Sequence, residues 1–234
     1  GEASNDPLAH LQVLWQQSDR SRGWPVVPET EAQTQFVREW AARATRSGAS
    51  RGAVMNAALP VADRIRGMLL GLALGDSMGE SLRLGQPGRA DWTQHTAMAL
   101  CLAESLLATG GNDARDQMER YLRWQRDGHL SARGLPGQAT PDVARAIATW
   151  QWRGLPQAGS HDPRDRSTAA LPRVVSAVAY ALAEPAAAVA LAADCARTTH
   201  QSPLVLDACR YYAALLVGAL RGATSQQLCY GSFE

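Results

Sequence analysis

No lysine occurs among the 23 basic residues of this 234-residue chain, every one of which is arginine, while alanine fills 42 positions. These two biases read as the amino-acid usage of a GC-rich bacterial genome and carry no functional information. Charge is also scarce. Charged residues make up 19% and the formal net charge is +1, so no strong field exists to concentrate nucleic acid or an anionic membrane. Neither is expected as a partner. Cysteine is limited to Cys101, Cys195, Cys209 and Cys229, with no CxxC spacing, and three of the four sit in apolar helical stretches. They read as small buried hydrophobes in a reducing compartment, which points to the cytoplasm. The opening residues Gly1-Glu2-Ala3-Ser4 lack a basic region followed by an apolar run, so no secretory signal is expected. The most apolar stretch, 204–220, carries Asp207 and Arg210, which makes it a core helix and the protein soluble.

Hydrophobic residues, by contrast, are 46% of a 25.1 kDa chain, enough for a substantial core. They recur at three and four residues, whereas strand candidates are almost absent, so the expected class is all-α. Asp6-Pro7 opens a short helix with Leu8, Leu11, Leu14 and Trp15 on its apolar side, and Thr30 opens another carrying Phe36, Val37 and Trp40. Between them Gly23-Trp24-Pro25 begins an extended run, and residues 47–52 read as a linker. From Val61 the pattern is denser, with helices expected at 61–79, 93–109, 113–127, 141–153, 168–183, 185–198 and 203–221. Gly128, Gly154 and Gly222 stand just past three of these, where a left-handed cap needs glycine. The organisation is an N-terminal extension, 1–60, with two short helices, and a helical domain, 61–234.

Gly67, Gly71, Gly75 and Gly79 fall at every fourth position and form one bare stripe on a helix. Interior glycine weakens a helix by about 1 kcal/mol relative to alanine. Four of them imply that another backbone or a ligand comes very close to that face.

Here the motifs resemble a family. Gly71-x-x-x-Gly75-Asp76-x-x-Gly79 is followed by Trp92-Thr93-Gln94-His95-Thr96-Ala97-Met98-Ala99-Leu100, then Tyr121-Leu122-Arg123-Trp124 and Thr199-His200-Gln201-Ser202-Pro203. Jointly, over about residues 61–221, these are similar to the ADP-ribosylglycohydrolases, the fold of dinitrogenase reductase-activating glycohydrolase. Bacterial immunity hydrolases that protect against arginine-targeting ADP-ribosyltransferase toxins resemble the chain most, since they too carry an N-terminal extension. The resemblance implies two modes of protection: removing ADP-ribose from arginine with a pair of magnesium ions, and plugging the toxin with the extension.

Departures from the family pattern fall on its metal site. The family's Thr-Asp-Asp turn supplies hard oxygen ligands for Mg²⁺, and here Thr93 is kept while Gln94 and His95 replace both aspartates. A family glutamate falls on Arg83, a charge reversal. The Gly-rich loop that approaches ADP-ribose corresponds to Ser167–Arg173 without its glycines, and the family's second acidic cluster has no counterpart before Glu234, as in a C-terminally shortened chain. Two divalent cations a few Å apart repel by many kcal/mol even at an effective dielectric of about 20, and carboxylates offset it. Bound metal and hydrolysis are therefore expected to be absent, with no cofactor.

The leading expectation is a degenerate immunity protein that binds and blocks its cognate toxin. Asp76, Arg173 and His200 are expected as remnants of the ligand pocket, and Trp15, Trp24 and Trp40 as partner-binding anchors. Two alternatives stand beside it. One is a working magnesium-dependent ADP-ribosyl-arginine hydrolase completed by residues beyond 234. The other is an ADP-ribose sensor using Arg173 and the helix start at Ser202. A groove left open along the glycine stripe would take the extension, a partner or a second copy, giving a homo-oligomer. His95, His129, His161 and His200 show no metal-ligand spacing, Ser105, Ser167 and Ser176 no triad context, and Trp150 and Trp152 read as packing.

Overall fold

A computed structural model describes residues 59–86 and 91–230, so the expected short helices and Trp15, Trp24 and Trp40 lie outside the described residues. The described residues belong to the unit Leu59–Glu234. Its helices, in chain order, are α1 (Val61–Arg83), α2 (Gln94–Thr109), α3 (Ala114–Asp127), α4 (Pro141–Arg153), α5 (Val174–Ala181), α6 (Pro185–Ala196), α7 (Pro203–Arg221) and α8 (Ser225–Tyr230). Among the described residues the only β pairing is an isolated parallel bridge between Ser160 and His200. The class is all-α, as the 3.6-residue periodicity requires.

Local chemistry sets most of the helix ends. Asp113 opens α3, its carboxylate accepting the N–H groups of Arg115 at 2.9 Å and Asp116 at 3.0 Å. Gly128 closes α3 with φ 75°, and a Cβ there would lie 2.4 Å from the Gly134 carbonyl carbon, so only glycine fits. Proline begins α4, α6 and α7, where its missing N–H is harmless.

Three expected segments differ in extent, and α8 was not expected from the sequence. α1 continues past Gly79 to Arg83, because Gly79 is helical and the turn comes only after Leu84. The expected 168–183 helix is confined to Val174–Ala181, since Pro172 disfavours helix before it and 168–173 form turns held by Ser167 and Thr168. α6 ends at Ala196, where the chain turns so that the N–H groups of Thr199 and His200 both reach the Ala196 carbonyl.

Two apolar clusters make the core. One joins α5, α6 and α7 through Val174, Val178, Ala192, Val205, Cys209 and Val217, and the other joins α2, α3 and α4 through Met98, Met118, Tyr121, Trp124, Val143 and Ile147. Leu102 and Leu106 of α2 meet Cys195 of α6 and connect them. Buried alanines 177, 188, 192, 196 and 213 let the helices of the first cluster approach closely, and the Ser176 hydroxyl donates to the Ala99 carbonyl at 2.6 Å across α5 and α2. α7 is long and apolar enough to cross a membrane by length and composition, yet Val205, Leu206, Ala213 and Leu220 are core residues of this cluster. Cys101, Cys195 and Cys209 are buried free thiols, and burial pushes the first two up to about 12, far from reactive thiolate.

No described residue approaches the glycine stripe. A Cβ built on Gly67, Gly71, Gly75 or Gly79 meets nothing within 4 Å among the described residues, and all four glycines are exposed. α1 instead packs by its opposite side, with Ile65 and Met68 against the α5–α7 cluster and Ser77 and Ser81 buried.

Candidate functional site

An open cavity of about 530 Å³ lies where the end of α1 meets the starts of α2 and α4. Arg83, Thr93, Gln94 and His95 all line it, together with Trp92, Trp124, Glu80, Asp91, Arg133 and Thr140. The motif residues thus converge, although Gln94 and Thr140 lie 46 positions apart in sequence. Asp76, Arg173 and His200 are not among the lining residues.

Asp76 closes the start of α2. Its Oδ1 accepts the Thr93 hydroxyl at 2.6 Å, and its Oδ2 accepts the Thr93 N–H at 2.8 Å, the Thr96 hydroxyl at 2.8 Å and the Thr96 N–H at 3.1 Å. A carboxylate on the first turn of a helix is favoured by both the free N–H groups and the dipole. Gln94 is 4% exposed, and both ends of its amide are used: Nε2 donates to Thr140 Oγ1 at 3.1 Å, while Oε1 accepts the Thr140 N–H at 2.7 Å. A carboxylate could not make the first of these bonds. His95 is half-buried, and its Nδ1 has no partner among the described residues.

Arg83 does not face the cavity as a lone cation. Its guanidinium grips Glu80 with two bonds of 2.7 Å, one turn back on α1, and Arg133 pairs with Asp91 at 2.8 Å. The walls between are the indoles of Trp92, which donates to the Leu130 carbonyl at 3.1 Å, and Trp124. Leu130 adopts φ 57°, a left-handed conformation unusual for a branched side chain, and carries the carbonyl that fixes Trp92. Two aromatic walls with opposite charges at the rim suit a ligand that is planar in part and polar at its ends.

Behind the cavity a polar chain runs into the core. Thr140 also bonds Asp142, whose carboxylate takes the Ser167 hydroxyl and, at 2.8 Å, His200 Nε2. Burial works against that carboxylate, but the Ser167, Thr140 and His200 hydrogen bonds outweigh it and hold Asp142 well below the usual carboxylate range. His200 is fully buried, and its Nδ1 lies 2.7 Å from the Thr199 hydroxyl. Burial first, and the nearby Arg173 charge second, push its imidazole below the ordinary value. The neutral ring fits the chain of donors: Arg173 Nη2 donates to Thr199 Oγ1, Thr199 donates to Nδ1, and Nε2–H donates to Asp142.

Arg173 is 1% exposed and pairs with no carboxylate among the described residues. It donates to the Ala196 carbonyl, at the negative end of α6, at 3.2 Å, and lies over the Tyr121 ring at 5.7 Å. Ser202 is likewise committed, its hydroxyl donating to the Asp165 carbonyl at 3.0 Å. Arg173 Nε and Nη1 are buried and have no hydrogen-bond partner among the described residues. His129 is paired with Glu104 at 2.7 Å, and His161 is exposed. Trp150 is buried, whereas Trp152 is 78% exposed with Arg153 stacked over it. The partners Thr140 and Asp142 were not singled out by sequence as site residues, and Ser167 was noted only as the start of the Ser167–Arg173 segment and as a serine without triad context. Only the Thr140-Pro141 helix start hinted that Asp142 would sit on a first turn.

No three His, Cys, Asp or Glu side chains converge as a metal site among the described residues. The nearest carboxylate to the Thr93 turn, Asp76, already accepts four hydrogen bonds, and Gln94 and His95 bring no negative charge. The residues present do not fit a pair of magnesium ions.

Comparison with known proteins places the chain. The ADP-ribosylglycohydrolase family model matches residues 58–230, and the chain belongs to that family. It is 28% identical over 137 residues to ADP-ribosylarginine hydrolase Tri1 of Pseudomonas putida (strain GB-1), covering 58% of this chain and 37% of that protein. The Tri1 hydrolase of Serratia proteamaculans (strain 568) is 26% identical over 142 residues, covering 61% of this chain and 38% of that protein. Among solved structures, an ADP-ribosylglycohydrolase-related protein complex matches with a TM-score of 0.57 and 35% identity, over 71% of this chain and 59% of that one. The match thus spans little more than a third of the length of the curated relatives.

Proposed function

We propose that this chain is a non-hydrolytic ADP-ribosylglycohydrolase relative that protects a bacterial cell by binding. In this reading it occludes the active site of an arginine-targeting ADP-ribosyltransferase toxin in the cytoplasm. One observation carries the loss of hydrolysis: at the positions that take the family's metal ligands, Gln94 is engaged by Thr140, Arg83 by Glu80, and none of Gln94, His95 and Arg83 brings negative charge. The toxin class follows from the relatives named as ADP-ribosylarginine hydrolases, whose substrate is what such a toxin makes.

Two experiments test it. The chain is incubated with ADP-ribosylated protein and magnesium, and loss of the modification is followed. The expected result is none, with no magnesium-dependent rise in melting temperature. Turnover abolished by changing Gln94 or His95 would overturn the proposal. Toxin modification of its target is then followed with the chain added, and inhibition that disappears on deleting residues 1–55 is expected.

A second reading has one observation in its favour. More than half of each Tri1 relative lies outside the matched stretch, so a working hydrolase would draw its carboxylates from beyond the residues seen here. Turnover by this chain after adding such a segment, and not before, would distinguish it.

A further inference from the structure

Three side chains donate to the Asp142 carboxylate, and the direction of each bond is fixed by chemistry. An ionised carboxylate only accepts. The Ser167 and Thr140 hydroxyls therefore donate to it, and so does His200 Nε2–H at 2.8 Å. The single hydroxyl hydrogen of Thr140 is used there, so its oxygen meets Gln94 as an acceptor, with Gln94 Nε2 donating at 3.1 Å. The Gln94 carbonyl is left facing the Thr140 N–H, from which it accepts at 2.7 Å. An amide in the cavity wall thus takes its orientation from a carboxylate two hydrogen bonds away.

The second arm runs the other way, into the core. With Nε2 protonated, the neutral His200 ring keeps Nδ1 bare, so the Thr199 hydroxyl donates to it at 2.7 Å. Thr199 Oγ1 is then free to accept from Arg173 Nη2. Three hydrogen bonds of one direction lead from guanidinium to carboxylate through two buried, neutral residues. Arg173 is itself fully buried, and a buried charge without an opposite one is costly. The Ala196 carbonyl and the Tyr121 ring ease that cost, but neither carries charge. Asp165 also acts on the His200 ring from a distance, yet its carboxylate accepts the Ser167 N–H at 2.9 Å and stands off the arm.

We infer that Asp142 is the counter-charge of Arg173, relayed through His200 and Thr199, and the positioning residue that orients Gln94 in the cavity wall through Thr140. One carboxylate thereby serves both ends of the network. Anything in the cavity that withdraws Gln94 Nε2 from Thr140 bears on the same group that neutralises the buried guanidinium. This role is independent of toxin binding, so the assays of the proposed function and those below can fail separately.

Urea unfolding of the full chain carrying Asp142→Asn, Arg173→Met or both tests the charge coupling. Asp142→Asn should lower the folding equilibrium constant more than about tenfold, and that loss should shrink by at least about fivefold once Arg173 is Met. The two side chains never touch, so only a relayed interaction gives this result. Asp165→Asn should show no such dependence on Arg173. Side-chain ¹⁵N spectra read the arms directly. In the wild type, His200 should be protonated at Nε2 and bare at Nδ1. Exchange of the Gln94 side-chain amide should quicken more than about tenfold in Thr140→Val and return in Thr140→Ser, with His200 unmoved in both. Asp142→Asn should disturb both signals. Additive effects of Asp142→Asn and Arg173→Met overturn the assignment, as does equal coupling of Arg173 to Asp165. A wild-type His200 protonated at Nδ1 overturns it without any variant, and so does a Gln94 amide indifferent to Thr140→Val or an Asp142→Asn protein with both signals in place.

Discussion

Gln94 and Thr140 hold each other by two hydrogen bonds running in opposite directions, side-chain amide to hydroxyl at 3.1 Å and backbone N–H to side-chain carbonyl at 2.7 Å. The pair joins the first residue of α2 to the N-cap of α4 and so fixes one wall of the cavity. Gln94→Glu keeps the shape but turns the donor into a second acceptor, leaving one of two buried bonds unmade and adding negative charge near Asp142. A loss of about 2 kcal/mol is expected from urea unfolding. Gln94→Met should lose a similar amount by leaving the Thr140 N–H unsatisfied. If Gln94→Glu instead stabilises the domain when magnesium is added, the position has kept its metal-binding character.

Asp76 sets the other end of the same wall. Four donors converge on one half-buried carboxylate, two of them backbone N–H groups at the start of α2. Asp76→Ala should destabilise the domain by about 3 kcal/mol, and Asp76→Asn by less, since an amide oxygen can still accept. Hydrogen exchange at Thr93 and Thr96 provides the local readout, because those amides lose their acceptor directly. Equal protection in wild type and Asp76→Ala would show that the clamp does not form.

How far these relationships could be read in advance depends on their range in sequence. The helix starts at Thr93, Asp113 and Pro141 and the left-handed glycines 128, 154 and 222 were legible because capping is decided within four residues. The turn at 168–173 was misread as helix: alanine and leucine favour helix there, but Pro172 and a serine-supported turn prevail. Asp76 was marked by its motif, yet its partners were not, since nothing local says that a carboxylate on one helix closes the next. The Asp142–His200 contact spans 58 positions and has no sequence signature of its own. The glycine stripe was legible as unusual, but what approaches it was not, because spacing reveals a bare face and not its neighbour.

The Asp142–His200 pair predicts how stability varies with pH. Both groups are held below their ordinary values in the folded state, the carboxyl by hydrogen bonds prevailing over burial and the imidazole by burial and the Arg173 charge. In each case the unfolded chain binds more protons over the intervening range, so stability rises with pH there. The His200 contribution is complete above the ordinary histidine value of 6.5 and declines as pH falls below it. The Asp142 contribution declines only below the ordinary 3.8. Urea unfolding between these two values should show a positive slope of stability against pH that His200→Gln flattens. An unchanged slope in that variant would assign the dependence to other groups.

Gly137 tests the aromatic wall. Its N–H donates to the Trp124 carbonyl at 3.1 Å, and a Cβ at this position would lie 2.2 Å from Trp124 Cε2, inside the indole. Trp124 is 2% exposed and packed in the α2–α4 core, so it has little room to move, and the 131–140 segment must shift instead. Gly137→Ala should therefore cost about 2 kcal/mol or more and change the tryptophan emission as the indole environment loosens. Gly134→Ala is the control with the opposite cause. A Cβ there meets nothing within 4 Å among the described residues, so its penalty arises only from the backbone angle of 66°. Because the Gly134 side chain would touch no indole, emission should hold steady in that variant even as stability falls. A Gly137→Ala protein with native emission and native stability would mean that Trp124 is not held against this loop, and the cavity wall built on it would have to be redrawn.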